Sequence, residues 1–245
     1  MKNSRYAWIA AAATVVLLSW MGFSFRGDVL VNDLRVDIIS NEGNQFISES
    51  EVIELMRGDQ NILMLPVSKW DMSEMERRVE TNPFVMDAEV YRDVKGNVLV
   101  RVNQRKPIGR IYHRYERDKY IDGIGNLLPT TARHTARVPL IEIQGLSWED
   151  NLTETNYGND LLKLLKFIEQ DDFWRAQIAH LVVKSDGQIE MIPQVTKQTI
   201  VLGMPEDIEA KFEKLMIFYK KILPAKGWNN YSTVNLKFKD QIICE

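Results

Sequence analysis

The stretch from Tyr6 to Phe25, YAWIAAAATVVLLSWMGFSF, constrains this chain more than any other, because it carries no charged side chain and is bracketed by Arg5 and Arg26. Its twenty residues, wound as a helix rising about 1.5 Å per residue, reach about 30 Å, the thickness of a bilayer's hydrocarbon core. Tyr6, Trp8 and Trp20 fall toward its two ends, where amphipathic rings favour the headgroup level. A cleaved secretory signal needs a shorter apolar core and a small-x-small site. Here the run ends in the bulky Trp20-Met-Gly-Phe-Ser-Phe25, and the alanines Ala10–Ala13 stand at the wrong end. A buried core helix is disfavoured, since the run is apolar all round and starts close to the N-terminus. The expectation is one uncleaved membrane span over 6–25, with 1–5 as a cytoplasmic tail. Lys2 and Arg5 precede the span without an acid, whereas Arg26 and Arg35 beyond it are mixed with Asp28, Asp33 and Asp37. The positive-inside bias therefore puts the N-terminus in the cytoplasm. Residues 1–5 cannot fold or catalyse, so the work of the chain is expected on the far side of the membrane.

The rest of the 245-residue chain allows one large domain or two small ones. With 45% hydrophobic residues it can pack a core, which excludes wholesale disorder. Cys244 is the single cysteine, so an internal disulfide and CxxC-type zinc or redox motifs are excluded. His113, His134 and His180 are scattered, leaving little for a zinc site or a histidine relay. The net charge of −3 exerts no global pull toward nucleic acid. No nucleophile–base pair or converging ligand set stands out, so no enzyme activity, cofactor, metal or small-molecule substrate is expected.

Beyond the span, residues 33–40 alternate apolar and polar and predict a strand. Ser48 followed by Glu49-Ser-Glu51 opens a short helix ending near Gly58. Asn61–Pro66 reads as an apolar hook, and Asp71 caps a second helix running to about Thr81, stopped by Asn82-Pro83. Val85–Arg92 and Val98–Gln104 form a hairpin around Lys95-Gly96-Asn97. The order β-α-α-β-β predicts a compact unit with helices on one sheet face. From Lys106-Pro107 onward strands dominate: Ile108–Tyr112, Lys119–Asp122, Val138–Ile143, a hairpin around Ser185-Asp186-Gly187, Thr199–Leu202 and Ser232–Phe238. Two amphipathic helices, about Tyr157–Gln170 and Pro205–Leu223, interrupt them. Two subdomains within 106–245 are an alternative, but no Gly/Ser/Pro linker divides the segment.

These residues together resemble the bacterial cell-division FtsQ/DivIB family over nearly the whole chain. Asn82-Pro83-Phe84-Val85-Met-Asp-Ala88-Glu-Val90 is similar to the family's passage into the second strand of its POTRA domain. Leu99–Gly109, containing Arg105-Lys106-Pro107, resembles the junction to its second domain, with Gln104 in place of the usual acid. Tyr120-Ile-Asp122-Gly-Ile-Gly125-Asn-Leu-Leu-Pro129, Pro139–Gly145, Val201-Leu-Gly203 and Tyr231–Phe238 resemble later turns and closing strands. Each motif is weak alone; their order and spacing are specific. The implied fold is α+β: a single N-terminal transmembrane helix, a POTRA domain over 26–105, and a mostly antiparallel β domain over 106–245 with two flanking helices. The implied role is a non-enzymatic division scaffold, single-pass in the inner membrane at the septum. It would link early and late division proteins and bind FtsB within an FtsB–FtsL complex by strand addition. The expected cytoplasmic tail is shorter than is usual in that family.

The resemblance places partner binding on the closing strand, at Tyr231, Asn235, Lys237, Phe238, Lys239 and Asp240, with Phe238 as aromatic anchor. Val234 and Leu236 are expected to face the core. A second candidate is a basic docking patch at Arg101, Arg105, Lys106, Arg110 and Arg114, weighed against a simple solvated strand face. Asp171-Asp172 reads as loop rather than as a catalytic carboxylate pair. Asn151 and Asn230 open sequons of a frequent type, and Cys244 reads as a lone thiol. A membrane-anchored POTRA chaperone or an envelope sensor module remains the alternative.

Overall fold

The computed structural model describes residues 14–16, 30–40, 45–58, 65–112, 114, 117–145, 151–155, 157–228 and 230–245. The span expected over Tyr6–Phe25 lies outside these residues except at Thr14–Val16, which are helical. Among the described residues no helix is long and apolar enough to cross a membrane. The expected hook is described only at Leu65 and Pro66. The chain divides into two compact units, with the boundary between Asn103 and Gln104 and with Ser40–Phe46 belonging to the second.

The first unit contains β1 (Asp33–Ile39), α1 (Glu49–Arg57), a 3-10 turn (Val67–Lys69), α2 (Met72–Glu80), β2 (Val85–Arg92) and β3 (Asn97–Gln104). Its sheet has the order β1-β3-β2, with β1 parallel to β3. Val98, Val100 and Val102 alternate inward along β3 and meet Val52 and Met56 of α1 and Met75 and Val79 of α2. Both helices begin where their local chemistry dictates. The Glu51 amide donates to Ser48 Oγ (3.4 Å) and the Ser48 amide to Glu51 Oε2 (2.9 Å), a reciprocal capping box. Asp71 Oδ1 accepts from the Glu74 amide (3.0 Å) at the start of α2. Ser48→Ala is expected to cost about 1 kcal/mol, with no change of fold. Urea denaturation followed by far-UV circular dichroism measures it, and an unchanged midpoint would count against the cap.

The second unit is one nine-stranded sheet. Its strands are β4 (Pro107–Tyr112), β5 (Lys119–Asp122), β6 (Leu127–Pro129), β7 (Leu140–Ile143), β8 (Ile178–Val183), β9 (Ile189–Pro193), β10 (Thr199–Gly203), β11 (Thr233–Asn235) and β12 (Ile243–Cys244). Their order is β12-β11-β10-β9-β8-β7-β4-β5-β6. Most neighbours are antiparallel, but β4–β7, β7–β8 and β10–β11 are parallel, so the sheet is mixed. Two of the parallel pairs have a helical crossover between their strands, as parallel neighbours require. Between β7 and β8 run α3 (Gly158–Gln170) and α4 (Asp172–Gln177). Between β10 and β11 runs a helix made of α5 (Ile208–Ile217), a π-helical turn (Phe218–Ile222) and α6 (Leu223–Lys226).

The helices pack on one face of the sheet. Leu161, Leu164, Leu165 and Ile168 of α3 and Phe212 and Leu215 of α5 join Ile141, Leu181, Met191 and Ile200 in one core. The short helix α4 is a correction to the two flanking helices expected. Asp171 Oδ1 accepts from the amides of Phe173 (2.9 Å) and Trp174 (3.0 Å), so the expected loop is an N-cap. Asp172 in the first turn pairs with Arg175 (2.6 Å).

Candidate functional site

The C-terminal residues form one end of the large sheet. β11 lies parallel to β10, and its other side is taken by β12, the outermost strand. The closing strand expected over Ser232–Phe238 is therefore shorter, Thr233–Asn235. Two local bonds explain its end. Asn235 Oδ1 accepts from the Lys237 amide (3.0 Å), a side-chain turn that competes with the ladder. Lys214 of α5 donates through Nζ to the carbonyls of Leu236 (3.0 Å) and Phe238 (2.6 Å), drawing the chain toward the helix.

Each expected partner-binding residue then has a definite place. Tyr231 packs against the core, its ring 6.1 Å from that of Phe218. Val234 and Leu236 are fully buried, as the alternation requires, whereas Phe238 is 47% exposed despite following in the same alternation. Lys237 lies across Gly203, where φ is 76° and a Cβ would fall 2.6 Å from its Cγ, and its Nζ reaches Gln188 Oε1 (3.3 Å). Lys239 and Asp240 are exposed, and Asp240 adopts a left-handed φ of 59°. Cys244 packs against the core edge, and burial pushes its thiol up, away from the thiolate that reactive cysteines need.

The basic run does not present a row of bare cations. Arg101, on β3, lies over the Tyr91 ring (5.5 Å) and 3.9 Å from Glu89. Arg105 donates to Asp122 (3.0 Å), a carboxylate almost wholly buried. Lys106 pairs with Glu169 of α3. Arg110 pairs with Asp118 (2.8 Å) and covers the Tyr120 ring (5.9 Å). Arg114 is exposed. Arg105, Lys106 and Arg110 thus serve the framework of the second unit. A cleft of about 250 Å³ lies beside Lys106, His134, Arg137 and Glu169, where the Lys106–Glu169 pair forms part of its wall.

Two residues of the resembling motifs gain a physical account. Asp122 accepts from the amides of Ile124 (3.0 Å) and Asn126 (2.9 Å) and from Asn126 Nδ2 (3.2 Å) besides Arg105, and so holds the whole Asp-Gly turn. Gln104 is buried and its Oε1 accepts from the Phe46 amide (3.0 Å), seating the Phe46 ring against Tyr120 and His134. An acceptor at this position needs no charge, so glutamine serves it. His180 sits within β8, its Nε2 3.9 Å from Glu142, too far for a hydrogen bond. Asn151 caps a 3-10 turn through its Oδ1 and donates to Asn126 (3.0 Å). Among the described residues no group of His, Cys, Asp and Glu is placed to hold a metal ion.

A family model described as FtsQ/DivIB, C-terminal related, matches residues 106–245, more than half of the chain. A second, described as a POTRA-like domain, matches residues 30–103. No curated protein matches the chain.

Proposed function

We propose that this chain, which belongs to the FtsQ/DivIB family, is a non-enzymatic scaffold of the bacterial division machinery. In this reading it crosses the inner membrane once through residues 6–25, with its N-terminus in the cytoplasm and its bulk in the periplasm at the septum. It links early and late division proteins, and it holds an FtsB–FtsL complex by strand addition at the C-terminal end of its large sheet. Anchoring confines the search to two dimensions and raises effective concentration.

The observation that carries the reading is the placement of Tyr231–Asp240 on and around β11, the second strand from the C-terminal end of the sheet, with the Phe238 ring exposed beside it. A sheet edge offers backbone donors and acceptors to an incoming strand, and an aromatic ring supplies the anchor. The opposite edge is less suitable. β6 ends in Pro129, which lacks a donor, and Asn126 beside it bridges to Asn151. The chaperone alternative would use an edge of the POTRA sheet, yet on edge strand β2 two amides are already engaged. Glu80 accepts from Ala88 (3.2 Å) and Glu76 from Val90 (2.8 Å).

The test is binding of the full chain, purified in detergent, to a co-purified FtsB–FtsL complex. Phe238→Ala is expected to weaken binding about 30-fold, the effect of losing an anchor worth about 2 kcal/mol. Unchanged affinity would keep the scaffold role and remove Phe238 as anchor. Absence of binding by the folded wild-type chain would overturn the role itself.

A further inference from the structure

The outer rim of β11 is already filled. The carbonyl of Glu245 accepts from the amides of Ser232 (2.5 Å) and Thr233 (3.0 Å) and from Ser232 Oγ (3.0 Å), and the Glu245 amide donates to the Thr233 carbonyl (3.0 Å). Thr233 and Glu245 thus exchange both bonds, and the register continues with Val234 opposite Cys244 and Asn235 opposite Ile243. Ile242 and Cys244, two residues apart, turn their side chains to the edge of the core.

This arrangement has a fixed base, a hinge and a short closing element. The chain is held through Phe238 by the Lys214 ammonium. Lys239, Asp240 and Gln241 form an exposed turn, with Asp240 in the left-handed region that side chains other than glycine enter at a cost. β12 itself is two residues long.

Its own outer rim is a poor template. Residues 243 and 245 point their backbone groups at β11, so by the alternation of an antiparallel pair only Cys244 within β12 points its own outward. The rim of β11 beneath it offers Thr233 and Asn235 together with the Ser232 amide.

Resting on the reading of this edge as the partner's seat, we propose that Ile242–Glu245 is a resident strand that keeps the seat filled and is displaced by the incoming strand. The segment that replaces it is extended and carries apolar side chains two residues apart, to refill the places of Ile242 and Cys244. Binding is then a competition between the partner and the chain's own tail.

The natural Cys244 supplies the test. Val234 and Cys244 face each other between two hydrogen-bonded pairs, a position where Cα atoms lie about 4.5 Å apart, within reach of a disulfide. V234C in the full chain, oxidised, staples the tail in place. We expect the oxidised form to bind the FtsB–FtsL complex at least about tenfold more weakly than the reduced form, with reductant restoring affinity and wild type indifferent to both treatments. Equal binding in both states would overturn displacement while leaving the scaffold role intact.

If neither V234C nor wild type binds, the scaffold role fails and amide exchange decides the tail separately. Thr233 and Glu245 exchanging far faster than Ile200 and Leu202 supports a displaceable strand; equal protection overturns it. Should V234C not fold, a chain ending at Gln241 is expected to bind more tightly, and loss of binding by that folded chain would show the tail to be a platform instead.

Discussion

Phe212→Ala is expected to lower the stability of the second unit by about 3–5 kcal/mol. Phe212 is 1% exposed on α5 and is the point where three helices meet. Its ring lies 4.8 Å from that of Phe167 on α3 and 4.9 Å from that of Trp174 on α4, the latter edge-on. Edge-to-face pairs of this kind add to the area they bury. Truncation leaves a cavity that cannot collapse, because its walls come from three helices pinned to one sheet. Urea denaturation monitored by tryptophan fluorescence measures the loss. A shift equivalent to less than about 1 kcal/mol would mean that the helices repack, and that the aromatic cluster is not what holds them.

Asp122→Ala is expected to cost about 3 kcal/mol. The carboxylate is only 5% exposed and its partner Arg105 21%. Removing it takes a buried carboxylate from the Arg105 guanidinium and the acceptor from two turn amides, and breaking a buried pair on one side costs about 3–5 kcal/mol. The lower end applies because Arg105 retains some access to water. Asp122→Asn keeps an acceptor for the turn amides and is expected to recover part of the loss. Comparing the two variants by denaturation separates turn from ion pair. Equal losses in both would assign the whole effect to the Arg105 charge.

Under the proposed scaffold reading, the connection with partner binding is mechanical. Both residues fix the second unit that carries the C-terminal edge, and neither belongs to that edge. Variants at Phe212 or Asp122 should therefore alter partner binding only in proportion to the fraction unfolded. Phe238→Ala should act on binding with little change in stability, since its ring is half exposed.

Much of this was legible in the sequence because it is decided within a few residues. Ser48 with Glu51 starts α1, Asp71 starts α2, and Gly96 and Gly187 take the positive φ of 85° and 82° that their hairpins need. The alternation of Val98, Val100 and Val102 and the spacing of Leu161, Leu165 and Ile168 announced which faces would be buried. Two of the three parallel pairs, β7–β8 and β10–β11, had a signal too, since a helix between two strands permits a parallel crossover. The cap of α4 had a weaker one, an Asp standing before Asp172-Phe-Trp.

Other features depended on residues far apart in the chain. A run of basic side chains looks the same whether solvated or paired, and the partners of Arg105, Lys106 and Arg110 are set by which strands and helices come together. The closing strand read as Ser232–Phe238 because its apolar alternation continues to Phe238, yet Lys214 and Asn235 end it three residues early. That β11 is covered by Ile243–Cys244 could not be read from a two-residue segment with no pattern of its own. The sequence by itself determined the uncharged run of 6–25, the caps, the turns and the buried faces, because each rests on local conformational preference or on side-chain polarity. Only the tertiary structure decided the strand order, the ion pairs and the occupied C-terminal edge, because each is a competition among distant groups for the same backbone or charge.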